Sequence, residues 1–224
     1  MNARDRRSIE MGQRALAFAR QHPDESPGYA AAVSFLATSL ARAEELAARQ
    51  RNGLLQERAA VAVKRELRQR LIDGHLEHLE QVGQMAAGEA PALRQQLTLR
   101  PGARPFLAFR TSARGMFETA TANKEVLVRH GMVESVLADA GVVLAQFDAA
   151  VEQGSEGRRA HVGASADLSK VALDVVKVVR ILDSLNNVRM AGDAELLAAW
   201  RSASSVTAAP VKSVAKPGEE QPAA

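Results

Sequence analysis

Hydrophobic residues recur at helical spacing over two long stretches of this chain. In the first stretch the apolar positions are separated by alternating steps of three and four residues, which is the spacing of a coiled coil. They are Tyr29, Val33, Leu36, Leu40, Ala43 and Ala47, and after an ill-defined section Leu67, Leu71, Ile72, Leu76, Leu79 and Val82. No proline occurs within residues 28–87. The pattern therefore predicts a single helix of about 60 residues with a length of ~90 Å.

The same spacing runs through the second stretch, where a polar section interrupts it. The apolar positions are Val133, Leu137, Ala140, Leu144, Phe147 and Val151 before the interruption, and Leu168, Ala172, Val175, Val179 and Leu182 after it. The interruption contains EGRRAHVGAS at residues 156–165. Because the spacing keeps its phase on both sides, we predict one continuous helix over 132–188 with a polar layer inside it. The alternative is a break near Gly157, since glycine weakens a helix by up to about 1 kcal/mol relative to alanine.

Proline, glycine and capping residues mark the ends of the predicted helices. Ser26 is suited to cap a helix that starts at Pro27, Gly131 to end the third helix, and Asp193 to cap the last one. Residues 86–105 contain three prolines and two glycines and must interrupt the helix before them. We predict helices at 4–21, 28–87, 106–129, 132–188 and 193–202, a single helical-bundle domain at 1–203, and a disordered low-complexity tail at 204–224.

Two architectures are open at this point. If both long helices are continuous, the helix between them is only about half as long, so the apolar face of the fourth helix overhangs. An overhanging apolar face needs a partner, and this architecture predicts a homo-oligomeric rod. If both long helices break, near Gly53 and near Gly157, six shorter segments form a compact bundle. The fold class is all-α in both cases, and we favour an antiparallel bundle of long, continuous helices.

The composition supports helices and narrows the chemistry. Hydrophobic residues make up 46% of the chain and aromatic residues only 4%. The 29 basic and 26 acidic residues give a formal net charge of +3, which exerts no strong pull on nucleic acid or membranes. The absence of cysteine excludes disulfides and thiolate chemistry. Without an apolar leader or a run of about 18 apolar residues, we expect a cytoplasmic protein that does not enter membranes.

The sequence DGHLEHLEQ holds the best candidate for a metal site. His75 and His78 lie one helical turn apart, with Glu77 and Glu80 beside them. Zinc would need further ligands from elsewhere, and the spacing matches neither the zinc-protease motif nor the motif pair of di-iron bundles. We favour a solvated helix face and expect no metal, no cofactor and no catalytic residue.

The polar section at 156–165 offers a second candidate. Its glycines have the wrong spacing for a phosphate-binding loop, and Asp167 occupies the position of the last glycine of a nucleophile elbow. Arg158, Arg159 and His161 remain as contacts for an anion, because guanidinium groups suit carboxylate and phosphate. The favoured alternative is a polar layer that fixes the register of the helix, or an ordinary solvated surface.

A basic run lies in the middle of the first long helix and could contact nucleic acid or an acidic partner. Its members are Arg49, Arg51, Arg58, Lys64, Arg65, Arg68 and Arg70. No aromatic residue accompanies them in the sequence for stacking on bases, so a solvated helix face is favoured and nucleic acid is not the expected partner.

The sole tryptophan, Trp200, lies near the C-terminus beside Leu196 and Leu197. It can anchor the last helix onto the bundle, or these three residues can bind a partner, because tryptophan is common at interaction hot spots. Anchoring is the favoured interpretation.

Two stretches, GRRAHVGASADL and VRILDSLNNVRMAGDAELLAAWRSA, resemble sequences of a family of bacterial all-helical proteins with no assigned activity. The resemblance extends over most of the chain except the tail. It implies a bacterial helical protein and supplies no catalytic residue.

Together these patterns predict a non-enzymatic, self-associating helical scaffold or interaction protein. A protein that binds nucleic acid or an anionic ligand, through the basic run or through Arg158, Arg159 and His161, is the alternative.

Overall fold

The computed structural model describes residues 1–99 and 105–206, and these residues form helices and connecting turns without strands. The predicted all-α fold class is confirmed. The helices are α1 (Ala3–Gln21), α2 (Pro27–Leu71), a π-helical turn (Ile72–Leu76), α3 (Glu77–Ala86), α4 (Ala92–Gln96), α5 (Phe106–Ala122), α6 (Lys124–Arg129), α7 (Ser135–Arg189) and α8 (Ala194–Ser204).

The chain divides into two compact units, whereas the sequence predicted a single domain at 1–203. The first unit comprises Met1–Gln50 and Gly163–Ala224, and the second comprises Arg51–Val162. Each unit has its own cluster of buried hydrophobic residues. Two clusters form because the buried positions in the middle of both long helices hold only small residues, Gly53 and Ala60 in α2 and Gly154 and Gly157 in α7.

In the first unit, α1 and α8 pack on the N-terminal half of α2 and the C-terminal half of α7. Leu36 of α2, Val175 and Leu182 of α7, and Trp200 of α8 are fully buried. A methyl group on Gly12 of α1 would lie 2.5 Å from Val175 Cγ1, so glycine permits this close packing. The apolar face that was expected to overhang is thus covered within the chain.

In the second unit, the rest of α2 and α3 packs with α4, α5, α6 and the N-terminal half of α7. Leu71, Leu79, Leu127 and Phe147 are fully buried at the centre of its cluster. The apolar positions predicted for both long helices are buried or half-buried, with the exception of Val133, which is 57% exposed and precedes α7.

The question of continuity is answered differently for the two long helices. The polar section at 156–165 lies inside the uninterrupted α7, so the continuous helix predicted over 132–188 is confirmed, with bounds at Ser135 and Arg189. The helix predicted over 28–87 passes Gly53 without a break, but it contains the π-helical turn at Ile72–Leu76. The backbone N–H of Glu77 there donates to the carbonyl of Ile72, five residues earlier.

The section between the long helices has more structure than predicted. The helix predicted over 106–129 is divided at Asn123, whose Nδ2 donates to the carbonyl of Thr119 at 2.8 Å. The proline-rich section contains α4, because Leu93 and Leu97 are buried in the second unit. Most of the predicted tail, residues 207–224, lies outside the described residues.

The predicted ends at Pro27, Gly131 and Asp193 agree with the structure, whereas capping by the Ser26 side chain stays a prediction. The helix α2 begins at Pro27, Gly131 has a φ of 99° after α6, and Asp193 Oδ1 accepts the N–H of Leu196 at 2.9 Å at the start of α8.

Candidate functional site

Gly157 of the polar section packs against Gly53 of α2 within the second unit. A methyl group on Gly53 would lie 2.7 Å from the carbonyl oxygen of Gly157 and 2.7 Å from the backbone nitrogen of His161. A methyl group on Gly157 would lie 2.7 Å from the backbone nitrogen of Glu57. The two backbones therefore touch at this point, and glycine serves close packing instead of interrupting either helix.

The candidate anion contacts on α7 do not converge on a pocket. Arg158 and Arg159 are exposed and His161 is half-buried. Arg159 forms an ion pair with Glu152 at 2.8 Å, and this pairing raises the pKa of its guanidinium group. The three residues line none of the cavities described below, and this geometry favours the polar layer over an anion site.

His75 lies in the π-helical turn, and His78 follows it in α3. Burial lowers the pKa of His75 from 6.5, while the charge of Asp139 raises it and that of Arg70 lowers it. His75 Nδ1 and His78 Nε2 are buried and have no hydrogen-bond partner among the described residues. Within the described residues, neither this pair nor any other set of side chains brings three or more potential metal ligands together.

The basic run separates into exposed and half-buried members. Arg49, Arg51, Arg58, Arg65 and Arg70 are exposed, whereas Lys64 and Arg68 are half-buried. The ammonium group of Lys64 lies 5.0 Å from the ring centroid of Phe106, and the guanidinium group of Arg68 lies 4.8 Å from that of Phe109. Such cation–π contacts hold the cation in place. Sequence analysis missed these aromatic partners because they come from α5, about 40 residues further along the chain.

A cavity of about 570 Å³ lies beside Arg68 in the second unit, and we call it the α4–α5 cavity. Its apolar surface comes from Ile72, Leu99, Phe109 and Met116, of which Phe109 and Met116 are buried. Its polar surface consists of Arg68, Glu77, Gln95, Gln96, Thr98, Thr111, Ser112 and Thr119. Nothing in the sequence pointed to this cavity, because its lining comes from three separate segments, at 68–77, 95–99 and 109–119.

A small groove of about 360 Å³ adjoins it on α5 and is lined by Arg110, Arg114 and Glu118, among others. Both arginines form ion pairs with Asp148 of α7. Their charges thus serve to join α5 and α7.

Trp200 is fully buried in the first unit. Its indole Nε1 donates to Asp183 Oδ1 at 2.8 Å, and its ring centroid lies 5.4 Å from that of Phe18. Leu196 and Leu197 are half-buried and pack against the same cluster. The structure thus supports the anchoring interpretation, because the indole group is already engaged within the chain.

The C-terminal half of α7 carries an exposed apolar stripe. Leu173 and Ile181 are each 53% exposed, Leu185 is 37% exposed and Val188 is 81% exposed. At 3.6 residues per turn, these four residues lie outside the face that buries Val175 and Leu182. We call them the outer stripe.

Comparison with protein-family models, curated proteins and solved structures finds no match to this chain. The resemblance to bacterial helical proteins therefore stays a prediction. No helix in the described residues combines the length and the apolar character that crossing a membrane requires.

Proposed function

We propose that this protein is a non-enzymatic helical scaffold that self-associates through the outer stripe. The observation that carries the proposal is the exposure of Leu173, Ile181, Leu185 and Val188 along about four turns of α7. Single exposed apolar residues are common, but four of them on one side of the same helix, with Asp174 and Lys177 between them, suit an interaction surface. In this proposal the protein acts in the cytoplasm and its role is to hold copies of itself, or copies and partners, together.

The charges beside the outer stripe favour a second copy as its occupant. Lys177 forms an ion pair with Asp174 at 3.0 Å, and Lys170 forms one with Asp167 at 3.6 Å. Both signs therefore flank the stripe at regular helical intervals. Two copies related by a two-fold axis perpendicular to α7 run antiparallel along this face, so each copy can place its acidic groups against the basic groups of the other.

The overhang that first suggested an oligomer does not support the proposal, because α1, α2 and α8 cover the core face of α7. Self-association instead depends on a different face of the same helix. Since only four apolar side chains per copy are involved, we expect an association that depends on concentration.

Sedimentation equilibrium over a wide concentration range tests this proposal. We expect the wild-type protein to exceed the mass of one chain as concentration rises. The double variant Leu173→Glu/Ile181→Glu should weaken association by about 100-fold or more, since burial of each such side chain contributes about 1.5–3 kcal/mol.

A matched control is Val63→Glu/Val142→Glu, which places the same charges on exposed apolar positions of the second unit, 43% and 57% exposed. This variant should associate like the wild type. A wild-type protein that stays a single chain at every concentration, or a control that loses association equally, contradicts the proposal.

A further inference from the structure

We propose that the α4–α5 cavity binds a small organic anion with an apolar ring system, and that Arg68 binds its anionic group. This inference goes beyond self-association, because none of the residues that line the cavity belongs to the outer stripe. It assigns a role to one member of the basic run, Arg68, because Arg68 lines the α4–α5 cavity.

The size and the surface of the cavity suit such a ligand. A volume of about 570 Å³ falls within the range of about 300–1,000 Å³ in which small molecules bind to proteins. Phe109 and Met116 are 4% and 3% exposed and present an apolar surface. Thr98 and Thr111 also line the cavity, and because their hydroxyl groups donate to the carbonyls of Arg94 and Leu107, their oxygens are left as neutral hydrogen-bond acceptors. Together they accommodate a ring system that ends in a polar group.

Among the described residues that line the cavity, Arg68 is the only basic one. Its guanidinium group lies 4.8 Å from the centroid of the Phe109 ring, which restricts the rotamers of a long side chain before any ligand arrives. A guanidinium group has five donors in a fixed plane, so it can serve a carboxylate, sulfonate or phosphate while keeping other contacts. Preorganisation of this kind lowers the entropic cost of binding.

The π-helical turn shapes the wall of the cavity. Ile72, its first residue, lines the cavity, and α3 begins directly after the turn with Glu77. A π turn inserts one extra residue into a helix, and such turns are frequent at functional sites. Glu77 is exposed and lies roughly 13 Å from Arg68 along the helix axis. The negative charge of Glu77 would repel an anionic group beside it, so the ligand we propose carries its anionic group only at the end near Arg68.

Two fluorescent probes that differ by one charged group test the inference. The anionic probe is 8-anilinonaphthalene-1-sulfonate, and its neutral analogue is N-phenyl-1-naphthylamine. We expect saturable binding of the anionic probe to the full chain, with an affinity about tenfold or more above that of the neutral probe, as for a charge-assisted hydrogen bond. Arg68→Met should remove this difference and leave the neutral probe unaffected.

Gly115→Leu provides a test that does not change any charge. Gly115 lines the cavity, and a methyl group there would meet no heavy atom within 4 Å, so a larger side chain can enter the open space. This variant should lose both probes. Gly163→Leu on α7 is the matched control, because its position is equally unobstructed, and it should bind both probes like the wild type.

Three results would overturn the inference: no saturable binding of the anionic probe, full binding by Gly115→Leu, or equal affinity for both probes in the wild type. The last comparison needs no variant, so it decides the matter even if Arg68→Met fails to fold. The titration is repeated with Leu173→Glu/Ile181→Glu, which should keep the site. Probe binding by this variant therefore tests the ligand site independently of self-association.

Discussion

Asn186 shows how tertiary packing changes the meaning of a single residue. In the sequence, Asn186 and Asn187 follow an apolar run and predict the fraying end of a helix. In the structure α7 continues to Arg189, and Asn186 is fully buried with neither amide atom bonded to a described residue. Arg189, the last residue of α7, donates to the carbonyl of His22 at 2.9 Å and lies 4.7 Å from the ring centroid of Tyr29, which holds this end of the helix on the first unit.

The buried ring of His75 makes stability depend on pH. Because burial lowers its pKa below 6.5, the unfolded chain takes up a proton at a higher pH than the folded chain does. The stability that the neutral ring contributes is complete above pH 6.5 and is lost as the pH falls from there toward the folded-state pKa. We expect His75→Gln to lose less stability than the wild type between about pH 7 and pH 5.5, measured by urea denaturation.

Asp139→Asn is the matching control for this prediction. The charge of Asp139 raises the pKa of His75, so its removal should lower that pKa further and enlarge the loss of stability over the same pH range. Identical pH profiles for the wild type and His75→Gln would show that another group is responsible.

At the scale of helices, the sequence predicted the two long helices but not the π-helical turn that follows α2. Continuous apolar spacing through residues 132–188 indicated α7, since the spacing reflects the helical repeat itself. The extra residue at Ile72–Leu76 left no such mark, because apolar residues at 71, 72, 76 and 79 fit both a regular helix and a π turn. Likewise, the division at Asn123 depends on packing within the second unit.

The contact between α2 and α7 at Gly53 and Gly157 predicts that alanine substitutions at two glycines of α7 change the free energy of unfolding in opposite directions. Gly157→Ala should lower the free energy of unfolding by about 1–3 kcal/mol, because the new methyl group meets backbone atoms at 2.7 and 2.8 Å and forces the helices apart. Gly163→Ala, six residues further along α7, should raise it by up to about 1 kcal/mol, since nothing obstructs its methyl group. Thermal and urea denaturation measure both changes.

If Gly157→Ala were as stable as Gly163→Ala, helix propensity alone would account for both glycines. The close backbone contact would then contribute nothing to stability.

At the scale of the whole molecule, the net charge argues against nucleic-acid binding as the role of this protein. The formal net charge is only +3, and Lys64 and Arg68 are directed onto aromatic rings of α5. Five members of the basic run remain exposed, namely Arg49, Arg51, Arg58, Arg65 and Arg70, and counterion release from so few contacts gives weak binding at physiological salt. We expect no retention of labelled DNA or RNA at about 0.15 M salt, measured by fluorescence anisotropy.

Binding that persists at this salt concentration, and that is lost when Arg65, Arg68 and Arg70 are replaced by glutamine, would instead identify the basic run as a nucleic-acid surface. Arg49→Gln/Arg51→Gln serves as the control, because it removes exposed positive charge from another part of the run.

The sequence by itself determined the all-α class, the positions of the long helices and their caps, because these depend on spacing and on hydrogen bonds within a few residues. It also indicated many of the buried residues of the long helices, such as Leu36, Leu71 and Phe147. Tertiary structure alone decided the two separate cores, the π-helical turn and the α4–α5 cavity. Each of these arises where segments distant in sequence meet, as Arg68 meets Phe109, and no local pattern records which segments will pack together.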